Sequence, residues 1–191
     1  MAHGPTYIVQ YRRRREKKTD YKNRLNLLKS GRDRLIIRRS NKHVNVQVIR
    51  YMPDGDLVIA SAHSAELSKF GWGFGCSNIP SAYLTGFLCG VRAIQKSAGS
   101  AIVDTGLQFN FKGGNLFAAV KGAIDSGMEI PCDESVFPNE ARIKGEHIAG
   151  YAQTLGENYG NNFSGYEKKG LDAKNIQEIF EQVKSKIQEN I

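Results

Sequence analysis

Residues 35–62 read LIIRRSNKHVNVQVIRYMPDGDLVIASA, and this stretch decides the fold. Within it Val44-Asn45-Val46-Gln47-Val48 alternates apolar and polar side chains, the period of two that gives a strand one buried face. Residues 35–39 ahead of it form a second strand, and Ser40-Asn41-Lys42-His43 is the polar turn between the two. Pro53-Asp54-Gly55-Asp56 carries strong turn chemistry, because Pro presets φ and Gly accepts a positive φ. Residues 57–62 then return as a third strand, which completes an antiparallel meander.

Downstream of the meander, Gly71-Trp72-Gly73-Phe74-Gly75-Cys76-Ser77-Asn78 is rich in glycine and reads as a flexible surface loop. Pro80 suits the first turn of a helix. Leu84, Phe87, Leu88 and Val91 follow at helical spacing, Ile94 extends the stripe, and Gly86 and Gly90 leave room for a close backbone neighbour. Gly99 is the expected end cap. Ala101-Ile102-Val103-Asp104 is a short buried strand, expected to reach the sheet through that crossover helix. Asn115 is the expected cap of a second helix with core face Leu116, Ala119, Val120, Ala123 and Ile124, ended by Gly127. The order β-β-β-α-β-α gives an α/β fold: a meander plus a crossover strand, packed with helices. Past Pro131 the pattern predicts a helix from Pro138 to about Leu155 and a Gly- and Asn-rich linker over residues 156–170. A last helix follows, capped by Asp172, with Ile176, Ile179, Phe180, Val183 and Ile187 on a face that docks on this core or on a partner. Residues 1–11 run extended, and residues 13–29 form a helix ended by Ser30-Gly31. The organisation is thus a basic N-terminal extension (1–33), an α/β core (34–137) and a helical C-terminal extension (138–191).

The 191 residues suit one domain with extensions. Their 40% apolar content excludes a wholly disordered chain, and no apolar run approaches the roughly 18–20 residues of a membrane span. Three cysteines cannot form a complete disulfide framework, and no secretory leader is seen at residues 1–10, so an intracellular, reduced setting is expected. The net charge of +8 is unevenly spread. Residues 1–50 hold fifteen Lys and Arg against three acids, a balance of +12, and the remainder carries −4. Such a segment repels itself unless a polyanion neutralises it. Five guanidinium groups lie from Arg12 to Arg24, interleaved with Tyr11 and Tyr21 and preceded by Tyr7. Guanidinium grips phosphate bidentately and tyrosine stacks on bases, so the pattern is that of a nucleic-acid binder.

Catalytic motifs are lacking. There is no GK[ST] after a glycine loop, no G-x-S-x-G, and no pair of cysteines at zinc spacing; Cys76, Cys89 and Cys132 lie far apart, with Cys89 expected in the core. His3, His43, His63 and His147 are scattered, and neither a metal nor a cofactor is expected. One enzymatic alternative is a Mg²⁺-dependent RNA nuclease using Asp104 at a strand end, with Asp125, Asp133 and Glu134 as further acids.

Several stretches together resemble a known family: Arg12-Arg13-Arg14-Arg15-Glu16, Thr19-Asp20-Tyr21, Leu27-Leu28-Lys29-Ser30-Gly31, RRSNKH at 38–43, ASAHS at 60–64 and PSAYLTG at 80–86. The family is ribosomal protein L-eighteen in its archaeal form, whose eukaryotic counterpart is L-five, and the resemblance spans residues 5–155. It implies a cytoplasmic, non-enzymatic constituent of the large ribosomal subunit that binds 5S ribosomal RNA and anchors it to the large ribosomal RNA in the central protuberance. It also implies a neighbouring 5S-binding protein, L-five in bacterial and archaeal naming, and a core distantly like ribonuclease H. By matching position, RNA contact is carried to Arg12, Arg13, Arg14, Arg15, Lys17, Lys18, Tyr21, Arg24 and Lys29, and to Arg38, Arg39, Ser40, Asn41, Lys42 and His43.

Overall fold

The computed structural model of the chain describes residues 4–156 and 159–189. The sequence readings of residues 1–3 (His3 among them) and of residues 157 and 158 lie outside the described residues.

Strands β1 (Asp33–Arg39), β2 (Val44–Arg50), β3 (Leu57–His63) and β4 (Ala101–Asp104) form one sheet in the order β3-β2-β1-β4. The first three are the expected antiparallel meander, and β4 joins β1 in parallel after a crossover. Period-two alternation sends Leu35, Ile37, Val44, Val46, Val48, Ala60 and Ala62 into the core. There they meet two helices, α3 (Ile79–Gln95) and α4 (Asn115–Asp125). A register shift between Val48 and Ile49 bulges the β2–β3 ladder, and Ile49, across from Arg34 on β1, is buried on the other face of the sheet.

Helices α3 and α4 cross at backbone distance. A Cβ on Gly86 would overlap the Ala119 carbonyl, and one on Gly122 would overlap the Tyr83 carbonyl. Gly86 and Gly90 were legible as close-approach sites, facing Ala119 and Ser126; Gly122 on the opposing helix was not. The predicted single stripe on α3 understates its burial, because every residue from Ile79 to Gly90 is buried. The sheet, α4 and the C-terminal helices cover it on all sides. Ile94, expected to extend the stripe, is exposed. Asn78 caps α3, accepting from the Ser81 N–H at 2.9 Å, with Pro80 in the first turn as expected.

Several local expectations are corrected. The helix predicted over 13–29 is two, α1 (Arg12–Arg15) and α2 (Tyr21–Leu28). Lys17 takes a left-handed φ of +51°, and Asp20 restarts the helix by accepting from the N–H groups of Lys22 and Asn23. Gly99 does not cap α3; Ser97 takes the positive φ there, and the Gly99 carbonyl accepts from Glu129 N–H instead. Gly114 rather than Asn115 caps α4, and the Asn115 amide donates to the Ser77 carbonyl. The glycine-rich loop is not a flexible surface loop. Trp72 and Phe74 are buried in it, the Trp72 indole N–H donates to the Gly75 carbonyl, and the Tyr166 hydroxyl accepts from the Gly75 N–H. Glycines there give access for aromatic packing, with Phe74 edge-on to both Trp72 and Tyr166.

Beyond Pro138 the expected helix divides at Gly145, whose φ of +86° ends α5 (Glu140–Lys144) and begins α6 (Glu146–Thr154). The predicted linker instead contains α7 (Tyr159–Glu167), kinked at Phe163, where Tyr159 and Tyr166 both stack on the Phe163 ring. Asp172 caps the 3-10 turn Ala173–Asn175 that leads into α8 (Ile176–Glu189). The apolar face of α8 docks on this core: Ile176, Phe180, Val183 and Ile187 are buried against α3 and the Ser64–Phe70 3-10 helix. Phe180 meets Tyr83 at 5.5 Å between ring centroids.

The α3–α4 crossing makes a direct test possible. Gly86→Ala or Gly122→Ala forces a methyl into opposing backbone and is expected to cost about 2–3 kcal/mol or more in urea unfolding. Gly150→Ala, where no atom would meet the added Cβ, is expected to leave the midpoint unchanged or raise it.

Candidate nucleic-acid interface

The same alternation that buries Leu35 and Ile37 places Arg34, Ile36 and Arg38 on the opposite face of β1. Register brings β4 alongside, with Asp104 beside Ile36. The hairpin turn supplies Asp56. These groups form an alternating chain of charge. Arg24 donates to both Asp56 oxygens at 2.9 and 2.8 Å, and Arg34 Nη2 donates to Asp56 Oδ2 at 2.8 Å. Arg34 Nη1 donates to Asp104 Oδ2 at 3.1 Å, and Arg38 donates to the Asp104 carbonyl and, at 3.3 Å, to Oδ1. Arg34 is 1% exposed, so the middle guanidinium has left water almost completely. A buried charge persists only where it is paired and hydrogen-bonded, and the two carboxylates engage both terminal nitrogens, while Nε has no hydrogen-bond partner among the described residues. Burial pushes the Asp56 carboxyl up, but the hydrogen bonds and charges of Arg24 and Arg34 outweigh it and hold its pKa below the ordinary 3.8.

This settles what Asp104 does. Asp104 is 6% exposed, and its carboxylate is engaged by two guanidinium groups and the Gly106 N–H. The other acids do not converge on it: Asp125 holds the Tyr83 hydroxyl and Lys121, while Asp133 caps a separate turn. Among the described residues no group of three metal-ligating side chains exists. The geometry gives the nuclease alternative no support.

Helix α2 overhangs this open sheet face, tied down by the Arg24–Asp56 pair. Between them lies a cleft of about 470 Å³, lined by Arg13, Lys18, Tyr21, Arg24, Arg34 and Arg38 among others. Five of the residues assigned from sequence are therefore brought to one concavity. Tyr21 packs at 5.1 Å from Tyr11, and Arg13 is steadied by the Thr19 hydroxyl. Arg12 and Lys18 share Glu16, whereas the side chains of Arg14, Arg15 and Lys17 are exposed and make no ion pair among the described residues. Lys29 is exposed at the end of α2.

Arg39, Ser40, Asn41, Lys42 and His43 do not line the cleft. They form a separate site at the far end of β1 and β2. Ser40 closes the turn through its N–H and hydroxyl, both donating to the His43 carbonyl. The Ser77 hydroxyl donates to the Ser40 carbonyl, and the His43 ring lies against Ser64 and His63. The turn is thus built on a rigid edge with Arg39, Asn41 and Lys42 outward.

Sequence reasoning missed Arg34, Asp56 and Gln108. Period two already put Arg34 on the face of Arg38, which was the available signal. Asp56 was read only as turn chemistry. Gln108, whose amide makes two hydrogen bonds to the Arg39 backbone, lies in a loop with no pattern to expose it.

Comparisons with known proteins agree across the chain. The family model described as ribosomal large subunit proteins 60S L5 and 50S L18 matches residues 5–100. The chain is similar to large ribosomal subunit protein uL18 of Methanothermobacter thermautotrophicus, 45% identical over 192 residues and covering all of both chains. It is 47% identical over 190 residues to that of Methanobrevibacter smithii, covering 99% of this chain and 98% of the relative. For Caldivirga maquilingensis the identity is 50% over 194 residues, covering 99% of this chain and 94% of the relative.

Removing the buried cation tests the network. Arg34→Met is expected to cost about 3–5 kcal/mol in denaturant unfolding, with part recovered in the double variant with Asp104→Asn. A loss below about 1 kcal/mol would mean that the pairs behave as solvated surface contacts. The folded state binds a proton at Asp56 less readily than the unfolded chain. Its stabilising contribution is therefore intact above pH 3.8 and is lost as pH falls through the lower folded value. Asp56→Asn is expected to flatten the acid limb of stability against pH; an unchanged limb would assign it to other carboxylates.

Proposed function

The chain belongs to the uL18 family of large ribosomal subunit proteins, with a structural role there, and from that premise we propose that it binds 5S ribosomal RNA and anchors it to the large ribosomal RNA in the central protuberance. The observation that carries this reading is the state of the basic segment. Its acids neutralise only part of it, and Arg14, Arg15, Lys17, Arg39 and Lys42 remain exposed with no side-chain partner among the described residues. A row of uncompensated cations beside a cleft lined with guanidinium and tyrosine suits the phosphate backbone of a folded RNA.

Two recognition roles divide the assigned residues. The extension, residues 1–33, supplies charge: Arg12, Arg13, Arg14, Arg15, Lys17, Lys18 and Lys29 meet phosphate along a path, while Tyr21 and Arg24 form the wall where the path enters the cleft. The core, residues 34–137, supplies shape. Arg38 contributes from the cleft floor, and on the rigid edge Arg39, Ser40, Asn41, Lys42 and His43 present donors and acceptors fitted to backbone and 2′-hydroxyl contacts. Helices α5, α6 and α8 of the C-terminal extension pack on one another, and α5 and α8 on α3 of the core; the second 5S-binding protein is a further expected neighbour of the protein. The protein acts in the cytoplasm as part of the assembled subunit.

A competition gel shift of 5S RNA against transfer RNA over a salt series tests this reading. With about eight phosphates neutralised, log K is expected to fall with a slope of roughly −6 to −7 against log salt. Replacing Arg12 to Arg15 with glutamine should flatten that slope and weaken both RNAs. Replacing Asn41 and Lys42 with alanine should instead narrow the preference for 5S over transfer RNA. Equal affinity of the unaltered protein for the two RNAs would contradict 5S recognition, and identical behaviour of the two variants would contradict the division of roles.

A further inference from the structure

Loop 105–114 joins β4 to α4 and leaves two phenylalanines in the open: Phe109 is 80% exposed and Phe111 65%. Phenylalanine contributes to a fold by burying its ring, so these two contribute little to this one. They nonetheless hold a defined arrangement, with rings within 18° of parallel and centroids 6.1 Å apart. The loop beneath them is fastened at several points. Immediately before Phe109 in sequence, Gln108 donates from Nε2 to the Arg39 carbonyl at 2.7 Å and accepts the Arg39 N–H at 3.1 Å, as a further strand would. Asn110 donates to the Thr105 hydroxyl, Gly114 N–H to the Phe111 carbonyl, and Gly113 N–H to the Val136 carbonyl.

The surroundings favour one class of occupant. The Gln108 clamp sets the rings next to Arg39, whose guanidinium is exposed and makes no ion pair among the described residues. Lys42 on the adjoining turn is in the same state. Loop 105–114 itself contains no acid. Exposed aromatic faces beside unneutralised cations are what an unpaired nucleotide requires, since every base offers a π-face and carries a phosphate. A protein interface would bury such rings too, but its centre excludes unpaired charge.

We propose that Phe109 and Phe111 form a stacking platform for an unpaired base of ribosomal RNA, with Arg39 holding the adjoining phosphate. The proposal rests on the rRNA-binding reading above and adds a site to it. The test uses the full chain with Phe109→Leu and Phe111→Leu together, which keeps apolar bulk on an exposed loop and removes the π-faces. Affinity is measured for 5S transcript and, separately, for protein-free large-subunit RNA, so that the arm affected identifies which RNA supplies the base. A loss of about 5- to 100-fold on one arm is expected, with the salt slope unchanged because stacking carries no charge. Phe109→Trp alone is expected to retain affinity and to show indole fluorescence quenched on RNA addition. If the unaltered protein binds RNA and the double leucine variant matches it on both arms, the platform is overturned while the rRNA reading stands. The platform is equally overturned if that variant then fails only to enter reconstituted subunits, which would mark a protein-facing patch. If the unaltered protein binds neither RNA, the rRNA reading itself falls.

Discussion

The buried guanidinium of Arg34 is the constraint on which the rest of this surface depends. A strand that must feed Leu35 and Ile37 to the core can place Arg34 only on the other face, where α2 and the β2–β3 turn close over it. Once out of water, that charge requires carboxylates, and it receives one from each side: Asp56 from the hairpin turn and Asp104 from the end of β4. Each acid then holds a second, more exposed arginine. The hairpin, the crossover strand and the N-terminal helix are joined through one side chain, so the open face of the sheet is a positioned surface rather than a loose one.

The network also explains how so basic a segment rests against its own fold. Counted within residues 1–50, fifteen cations face three acids. Asp56 and Asp104 lie outside that count yet neutralise cations inside it. Alternation along Arg24, Asp56, Arg34, Asp104 and Arg38 leaves that chain positive by one unit while every close neighbour is of opposite sign. What remains for a polyanion is the outer row, Arg14, Arg15 and Lys17, with Lys22, Lys29 and Arg32 after it, and the edge group, Arg39 and Lys42. Folding the chain thus separates its cations into those that build the surface and those that stay available.

Much of the fold was legible because its signals are local. Strict alternation over residues 44–48, Pro-Asp-Gly-Asp at the turn and the i, i+3, i+4 pattern after Pro80 each fix an element through its own chemistry. The errors arose where one residue or a distant neighbour decided the outcome. Lys17 and Gly145 take left-handed conformations that periodicity does not encode, so single predicted helices became pairs. Trp72 and Phe74 looked like loop residues because the surfaces that bury them, Tyr166 among them, are contributed about ninety residues later. For the candidate interface, charge and tyrosine interleaving exposed the extension, and the RRSNKH stretch exposed the edge turn. The ion chain was hidden because its members come from four separate elements, and Phe109 and Phe111 because an apolar residue in sequence gives no sign that it will stay in water.

Amide hydrogen exchange on the RNA-free protein, compared with Asp56→Asn at low salt, tests most directly whether Arg34 and its carboxylates hold α2 against the sheet. The expected result is clear protection of residues 24–28 in the unaltered protein, far above that of residues 4–11, with protection of α2 lost in the variant while β2 and α3 stay protected. Exchange in α2 as fast as in residues 4–11 before any substitution, or protection that survives the loss of the Asp56 carboxylate, would contradict it.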